Sequence, residues 1–266
     1  MANTALLDVT DGVANLTLNR PAALNALSVE MMQDLNTAVR TLVGRKDVAV
    51  VVIAGAGDHF MAGGDLNDFA AHLHLSPEAR LATFRAMIEQ WINPTVELLQ
   101  GMHQPVIAKV RGACAGFGLS LMMGCDLAVA AESSVFTTAY SSIGLSGDGG
   151  VSYLLPRIVG ARRAADLLLL ADRFDAAEAL RLGLLNRVVS AETLDDEVAR
   201  LATRLKAGPR HAYGEIKRLL HASFETRLEA QLESEAGAFA RCSATQDFGE
   251  GVTAFLDKRK PGFKGA

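Results

Sequence analysis

The sequence predicts an α/β fold in which a mixed core is followed by helices alone. Strand and helix patterns alternate over about the first 200 residues, whereas the C-terminal part shows three helical patterns with no strand between them. Half of the 266 residues are apolar, which is enough for a sizeable core. We therefore expect a core over residues 1–200 and a helical oligomerisation region over residues 201–266.

Hydrophobic periodicity places the first elements of the core. Residues 13–19 alternate apolar and polar side chains, which is typical of a strand with one buried face. Ser28 is the expected N-cap of a helix that continues to about Val43. Residues 48–54 form a continuous apolar run, as in a strand that is buried on both faces.

The later pattern becomes increasingly helical. A long helix is expected over residues 77–102, kinked or split at Asn93-Pro94 because proline lacks the N–H that a helix interior needs. From Val151 onward the pattern is mostly helical. The remaining expectations are strands at 105–110 and 126–131, a mobile loop or short helix at 66–76, a helix from Leu119, and final helices at about 209–220, 224–241 and 245–258.

Composition and charge argue against several classes of function. The formal net charge is −4, and no basic patch suggests a nucleic-acid partner. No apolar run approaches the ~20 residues of a membrane helix, and no signal-peptide pattern is seen. Cys114, Cys125 and Cys242 lack paired spacing, so a reducing cytoplasm fits better than a disulfide framework. His72 and His74 lack further ligands nearby, so no metal site is expected.

Two glycine-rich turns follow predicted strands, one at Gly63-Gly64 and one at Gly116-Phe117. Glycine allows backbone N–H groups to approach a ligand closely, and a helix N-terminus favours an anion or a developing oxyanion. Ordinary connecting turns are the alternative interpretation. A dinucleotide-binding fingerprint is excluded, because Leu121 stands where that motif needs its third glycine.

Asp148 lies in another glycine-rich segment, Gly147-Asp148-Gly149-Gly150, just before the apolar helix that begins near Val151. One interpretation is that its side chain caps this helix. The other is that Asp148 is a general base against an apolar pocket, with a pKa raised by desolvation.

Taken in order, the motifs of this chain resemble those of the crotonase (enoyl-CoA hydratase/isomerase) family. The resemblance runs over about residues 13–264 and depends on the combination and order of motifs that are individually weak. In the first half they are Leu18-Asn19-Arg20-Pro21 with Leu24-Asn25-Ala26-Leu27, the segment from Phe60 to Leu66, and the two stretches Pro105-Val106-Ile107-Ala108 and Gly124-Cys125-Asp126-Leu127. In the second half they are Ile143-Gly144-Leu145, Gly149-Gly150, Leu155-Pro156-Arg157 and Leu182-Gly183-Leu184. The last is Glu250-Gly251 with Ala254-Phe255 and Lys258-Arg259.

This resemblance implies a right-handed spiral of ββα units, with C-terminal helices that pack into a trimer or a dimer of trimers. It implies an acyl-CoA thioester substrate and no tightly bound cofactor. By position, the N–H groups of Gly64 and Phe117 form the oxyanion hole, and Phe255 and Lys258 reach the CoA of a neighbouring subunit. The positions implied to bind CoA are Arg20, Ala62, Asp65, Leu66, Phe255 and Lys258.

Departures from the family pattern bear on the reaction. Ser120 and Tyr140 occupy the positions of the two glutamates that hydratases use, and neither side chain is a competent base near neutral pH. Asp148 stands where isomerases of the family, including the ring-epoxide isomerase of phenylacetyl-CoA degradation, place an aspartate. Gly147 replaces the proline usual in that subgroup, and Ala22 replaces a common CoA-contacting lysine.

The resulting hypothesis is an acyl-CoA isomerase in which Asp148 moves a proton between two carbons of an enolate held by Gly64 and Phe117. Tyr140 would position the substrate or donate a proton. The alternatives are a decarboxylase that relies on the oxyanion hole, a hydrolase or dehalogenase with a covalent aspartate, and a non-catalytic acyl-CoA-binding protein. Side chains that would line the acyl pocket, or else belong to the core, are Met61, Phe69, Leu73, Trp91 and Phe117.

Overall fold

Two β-sheets organise the fold in a computed structural model that describes residues 3–265. In chain order the strands are β1 (Ala5–Thr10), β2 (Val13–Leu18), β3 (Val50–Gly55), β4 (Val106–Val110), β5 (Ala113–Ala115), β6 (Leu127–Ala131), β7 (Val135–Thr137), β8 (Phe174–Asp175) and β9 (Arg187–Val189). The larger sheet has the order β1-β2-β3-β4-β6-β9, and its strands are parallel except for the β1-β2 pair. The smaller sheet has the order β5-β7-β8.

Helices connect the strands and then continue alone to the C-terminus. They are α1 (Val29–Leu42), α2 (Leu66–Ala71), α3 (Pro77–Met87), α4 (Asn93–Gly101), α5 (Phe117–Met123), α6 (Val151–Val159), α7 (Ala161–Leu170), α8 (Ala176–Arg181), α9 (Leu194–Lys206), α10 (Arg210–Ala222), α11 (Leu228–Ser243) and α12 (Gln246–Leu256). Over residues 3–265, no helix combines the length and apolar character needed to cross a bilayer.

Burial in β2 and β3 follows the predicted periodicities. Ala14, Leu16 and Leu18 of β2 are completely buried, while the residues between them are exposed or half-buried. In β3, the residues from Val50 to Ala54 are all buried, because the strand has parallel neighbours on both edges and helices against both faces. Both strand predictions are confirmed.

The predicted cap of α1 at Ser28 and the predicted irregularity near Pro94 are also confirmed. Ser28 caps α1 by accepting the Met31 N–H at 3.2 Å. The long helix predicted over residues 77–102 divides as expected: α3 ends at Met87, a π-helical turn covers Ile88–Ile92, and α4 begins with Pro94 in its first turn. The helical conformation continues through this point, since the Asn93 N–H donates to the Ile88 carbonyl, and the π-helical turn is where the regular bonding changes before the proline.

The expectation of a mostly helical chain after Val151 is confirmed, but two strands in this part were not predicted. Two short strands, β8 and β9, interrupt the helices, and β9 forms the outer edge of the larger sheet. Strands β5 and β7 were not predicted either. Each of these strands has only two or three residues, too few to show a period of two, so pairing with neighbours defines them. Helix α5 begins at Phe117 and α11 at Leu228, rather than at 119 and 224.

Helix α9 belongs with the sheet although residue 200 lies inside it. Val198 and Leu201 of α9 pack with Val52 and Ile107 in an apolar cluster on one face of the larger sheet. The chain turns at Gly208-Pro209 before α10 begins. On this packing we place the division between the core and the C-terminal helices after α9.

A buried ion pair ties α10 to the sheet. Lys217 Nζ lies 2.7 Å from Asp126 Oδ2 and donates to the Gln104 carbonyl at 2.7 Å. Asp126 also accepts the N–H of Val106, the first residue of β4, at 2.7 Å. The side chains of Lys217 and Asp126 are 8% and 19% exposed, so removing one partner leaves the other charge poorly solvated.

We predict that Lys217→Ala lowers the free energy of unfolding by roughly 3 kcal/mol, the lower end of the range for broken buried pairs. The reason is the desolvated carboxylate left at Asp126. Urea unfolding followed by circular dichroism measures the change. Arg85→Ala is the control, because its pair with Glu89 is 72% and 55% exposed and is worth ~1 kcal/mol or less. Equal losses in the two variants would contradict a role for burial.

Candidate active site

Three neighbouring parallel segments, at Met61, β5 and β7, end at the same edge of the smaller sheet. Met61 forms a parallel bridge with Cys114 of β5, and β5 pairs in parallel with β7. Gly64, Phe117 and Tyr140 each follow one of these segments by a few residues. Because neighbouring strands lie ~4.8 Å apart and parallel strands end on the same side, the three residues arrive at a common edge.

A cavity of about 400 Å³ opens at this edge. Its wall contains all four residues predicted to be catalytic, which are Gly64, Phe117, Tyr140 and Asp148. Among the residues predicted to bind CoA, Ala62 and Leu66 also line the cavity, whereas Arg20, Asp65, Phe255 and Lys258 do not.

Two backbone N–H groups in the wall lack acceptors. Phe117 is the first residue of α5, so its N–H has no intrahelical partner. Neither this N–H nor that of Gly64 has a hydrogen-bond acceptor among residues 3–265. A Cβ on Gly116 would lie 3.2 Å from Gly63 Cα, so the two turns approach each other closely. Two free donors on adjacent turns can polarise one carbonyl oxygen.

Arg20 and Asp65 hold the Gly64 turn in place. Their side chains form an ion pair at 2.8 Å, and Arg20 also donates to the Ala26 carbonyl at 2.5 Å. Asp65 caps α2 by accepting the Asn67 N–H at 2.9 Å. Burial raises the pKa of Asp65, but the bonds from Arg20 and Asn67 outweigh it, so the pKa lies below its usual value. The polar groups of both residues are thus engaged within the protein.

Asn25 is a structural residue of the site for which no role was predicted. It is completely buried with φ +55°. Its amide donates to the carbonyls of Ala56 and His59 at 3.0 and 2.7 Å, and its oxygen accepts the Arg20 N–H at 2.8 Å. Asparagine tolerates the left-handed region and bonds locally to backbone, which is the signal that could have identified it.

Ser120, Tyr140 and Asp148 form a connected polar group. Tyr140 Oη donates to Asp148 Oδ1 at 2.8 Å and lies 3.1 Å from Ser120 Oγ. Ser120 Oγ donates to the Asp148 backbone carbonyl at 3.0 Å. Sequence reasoning treated Ser120 only as a missing glutamate. The Asp148 side chain does not cap α6, because Gly150 occupies the N-cap position without any side-chain bond.

Burial changes the proton affinity of both acidic groups. It raises the pKa of Asp148, and the hydrogen bond from Tyr140 offsets this rise only in part. Burial, with the nearby Asp148 carboxylate, raises the pKa of Tyr140 well above its usual value. The phenol therefore stays protonated as a donor, while Asp148 is a stronger base than an ordinary carboxylate.

Helices α1, α2 and α3 and the π-helical turn supply an apolar wall. The rings of Phe69 and Phe84 meet edge to face at 5.4 Å between centroids. Of the five side chains that could belong to the acyl pocket or to the core, Phe69 and Phe117 line the cavity. Met61 is completely buried in the core, Trp91 is partly buried against it, and Leu73 is 65% exposed. The apolar lining consists largely of Met32, Phe69, Phe84, Met87, Ile88 and Ile92.

Phe255 and Lys258 lie at the end of the C-terminal helices. Phe255 on α12 is 84% exposed and borders an apolar groove between α10 and α12 rather than the cavity. Lys258 follows α12 with φ +53° and is also exposed. Contact of these residues with CoA in a neighbouring subunit stays a prediction.

The conformation of Gly147 fixes the approach of Asp148 to Tyr140. Its φ is +106°, and an added Cβ would lie 2.6 Å from Val151 Cγ1 and 3.3 Å from the Tyr140 ring. Proline requires φ near −65°. The proline found in the resembling isomerases would therefore need a different backbone path here.

We predict that Gly147→Ala reduces turnover at least ~10-fold, because the methyl group displaces Tyr140 or Asp148 from hydrogen-bond distance. Gly144→Ala is the matched control. Gly144 also has positive φ, at +76°, but its added Cβ would meet nothing within 4 Å, so both variants carry the same backbone cost of ~1–2 kcal/mol. Steady-state kinetics with a CoA thioester substrate compares them. Equal activity in the two variants would contradict this role of Gly147.

Comparisons with known proteins identify the family of this chain. The family described as Enoyl-CoA hydratase/isomerase matches residues 8–266. The 1,2-epoxyphenylacetyl-CoA isomerase of Escherichia coli is 36% identical over 265 residues, covering 100% of both chains. The crotonyl-CoA hydratase of Syntrophomonas wolfei is 36% identical over 259 residues, covering 97% of this chain and 96% of the relative.

Solved structures support the same assignment. An enoyl-CoA hydratase from Polaromonas superposes with a TM-score of 0.89 at 34% identity, covering 98% of this chain and 99% of its own. The predicted fold class, a crotonase-type α/β fold with C-terminal helices, is thereby confirmed. The chain belongs to the enoyl-CoA hydratase/isomerase (crotonase) family.

Proposed function

We propose that this protein is an acyl-CoA isomerase that shifts a double bond through a thioester enolate, with Asp148 as its general base and acid. The proposal rests on the number of acid–base side chains in the cavity wall. Among the described residues that line it, Asp148 is the sole carboxylate, and there is no histidine. Moving a proton from one carbon to another needs one group that first accepts and then donates it.

The proposed reaction begins at the carbon next to the thioester carbonyl. Asp148 takes a proton from this α carbon of a β,γ-unsaturated acyl group, and the electron pair moves toward the carbonyl oxygen. The N–H groups of Gly64 and Phe117 donate to that oxygen as its charge develops. Loss of one such donor typically costs ~10²–10³ in rate. Asp148 then returns the proton to the γ carbon, which leaves a conjugated thioester.

Hydration is less well supported by this cavity. Hydration of a double bond needs acid–base groups that activate a water molecule and deliver a proton. Ser120 and Tyr140 stand at the two glutamate positions, and the Tyr140 hydroxyl already donates to Asp148. The apolar wall around Phe69 and Phe84 offers no further acid or base. An isomerase also benefits from this wall, because excluded water cannot compete for the proton.

We propose that Ala62 and Leu66, which line the cavity, contact the CoA moiety. Arg20 and Asp65 act there by fixing the neighbouring turn. Phe255 and Lys258 would complete the CoA site of a second copy within a homotrimer or hexamer. Exposed apolar residues on α12, including Phe248 and Phe255, support such an association. The three free thiols fit a reducing cytoplasm.

We predict that Asp148→Asn lowers kcat by about 10²–10⁴ and leaves acyl-CoA binding intact, because the amide keeps the shape of the side chain without its basicity. Stopped-flow absorbance with a β,γ-unsaturated acyl-CoA measures kcat, and calorimetry with an unreactive thioester measures binding. Asp166→Asn, at a half-exposed site on α7, is the matched control. Full activity of Asp148→Asn would exclude this residue as the base.

We also predict an acid limb in the pH profile. Because burial raises the pKa of Asp148 and the base must be ionised, kcat/KM should fall as pH drops through a pKa above the ordinary value of ~4. The other titratable side chains in the cavity wall are Tyr140 and Arg173. Initial rates across pH test this, with circular dichroism to verify folding at each pH. A rate independent of pH down to ~4 would contradict a raised pKa.

A further inference from the structure

The two carboxylate oxygens of Asp148 have different surroundings. Oδ1 accepts a hydrogen bond from Tyr140 Oη at 2.8 Å. Oδ2 has no hydrogen-bond partner among residues 3–265. Asp148 lines the same cavity as the Gly64 and Phe117 turns, so Oδ2 is the oxygen left available to a substrate carbon.

Ser120 packs beside the hydroxyl of Tyr140 and holds the backbone of Asp148. Ser120 is completely buried and Tyr140 is 8% exposed, and their oxygens lie 3.1 Å apart. Each hydroxyl carries one hydrogen. The Ser120 hydrogen is directed at the Asp148 carbonyl at 3.0 Å and the Tyr140 hydrogen at Oδ1 at 2.8 Å, so Ser120 Oγ borders the Tyr140 hydroxyl without taking its hydrogen. A buried and satisfied network of this kind has few alternative arrangements.

We propose, on the basis of the proposed isomerase function, that Tyr140 and Ser120 are positioning residues that reserve Oδ2 of Asp148 as the single oxygen that takes and returns the proton. In the first step the α C–H bond breaks, the proton binds Oδ2, and the electron pair enters the enolate. In the second step the Oδ2–H bond breaks, a C–H bond forms at the γ carbon, and the carboxylate is restored.

The arrangement keeps the proton beside the substrate between the two steps. A proton on Oδ1 would weaken the hydrogen bond that this oxygen accepts from Tyr140, because a bond to an ionised carboxylate is among the stronger kinds. The Tyr140 ring and hydroxyl also take up space beside Oδ1 that water could otherwise fill. The hydrogen removed from the α carbon is therefore expected at the γ carbon of the same molecule.

Isotope transfer tests this directly. A β,γ-unsaturated acyl-CoA deuterated at the α carbon is converted in ordinary water, and mass spectrometry measures the deuterium at the γ carbon of the product. We expect wild-type protein to retain most of the transferable label. Tyr140→Phe should retain several-fold less, because water can enter beside Oδ1 and exchange the proton.

Two controls separate this effect from a general loss of structure. Tyr153→Phe removes a hydroxyl that bonds Glu225 at 3.1 Å outside the cavity, and it should leave label retention unchanged. Ser120→Ala removes the bond to the Asp148 backbone carbonyl but keeps the Tyr140 hydroxyl on Oδ1, so a smaller fall is expected. This second variant also keeps the test available if Tyr140→Phe does not fold.

The possible failures are distinguishable. Absence of turnover by the wild-type protein would overturn the proposed isomerase function, and this inference with it. Turnover by all proteins with the same label retention in wild type, Tyr140→Phe and Ser120→Ala would overturn the inference alone. Complete loss of label in the wild type would overturn it as well, even if Tyr140→Phe turned over more slowly.

Discussion

The site depends on the close approach of two glycine turns. A Cβ on Gly63 would lie 3.4 Å from the Ala115 carbonyl oxygen, and one on Gly116 would lie 3.2 Å from Gly63 Cα. A Cβ on Gly116 would push the turns apart by a few tenths of an ångström, and a side chain on Gly63 would be strained at its φ of +97°. Each turn continues into a residue with a free N–H, Gly64 or Phe117, so the spacing of the two donors follows from the absence of two β-carbons.

A second constraint is the burial of one carboxylate rather than two. An ionised side chain in a cavity with an apolar wall is costly unless it is hydrogen-bonded. Tyr140 supplies one such bond to Asp148, while burial keeps the pKa of the carboxyl raised. A second acid in the same space would repel the first and raise one of the two pKa values further. The hydroxyls of Ser120 and Tyr140 avoid that repulsion because neither is ionised. A single carboxylate suits the proposed reaction, in which the same proton is removed and returned.

Much of the fold was predictable because its signals are local. The Ser28 cap, the alternation in β2 and the break at Pro94 each depend on a few neighbouring residues. The short strands β5, β7, β8 and β9 were not predictable, because long-range pairing creates them.

The site residues divide in the same way. Glycine turns, together with the order of the family motifs, led to Gly64, Phe117 and Asp148, and the cavity contains all three. The contact of Ser120 with Asp148 spans 28 residues and depends on how α5 packs beside the glycine loop before α6, which no sequence pattern encodes. Met61 was expected in either the pocket or the core. The structure places it in the core, because its backbone bridges Cys114 and its side chain is completely buried.

The most direct measurement compares two substrates with the purified protein. A β,γ-unsaturated acyl-CoA and an α,β-unsaturated acyl-CoA of the same length are followed side by side by ultraviolet absorbance. We expect absorbance of the conjugated thioester to rise with the first substrate and to change little with the second. Rapid loss of conjugation with the second substrate, without conversion of the first, would identify a hydratase and contradict proton shuttling by a single carboxylate.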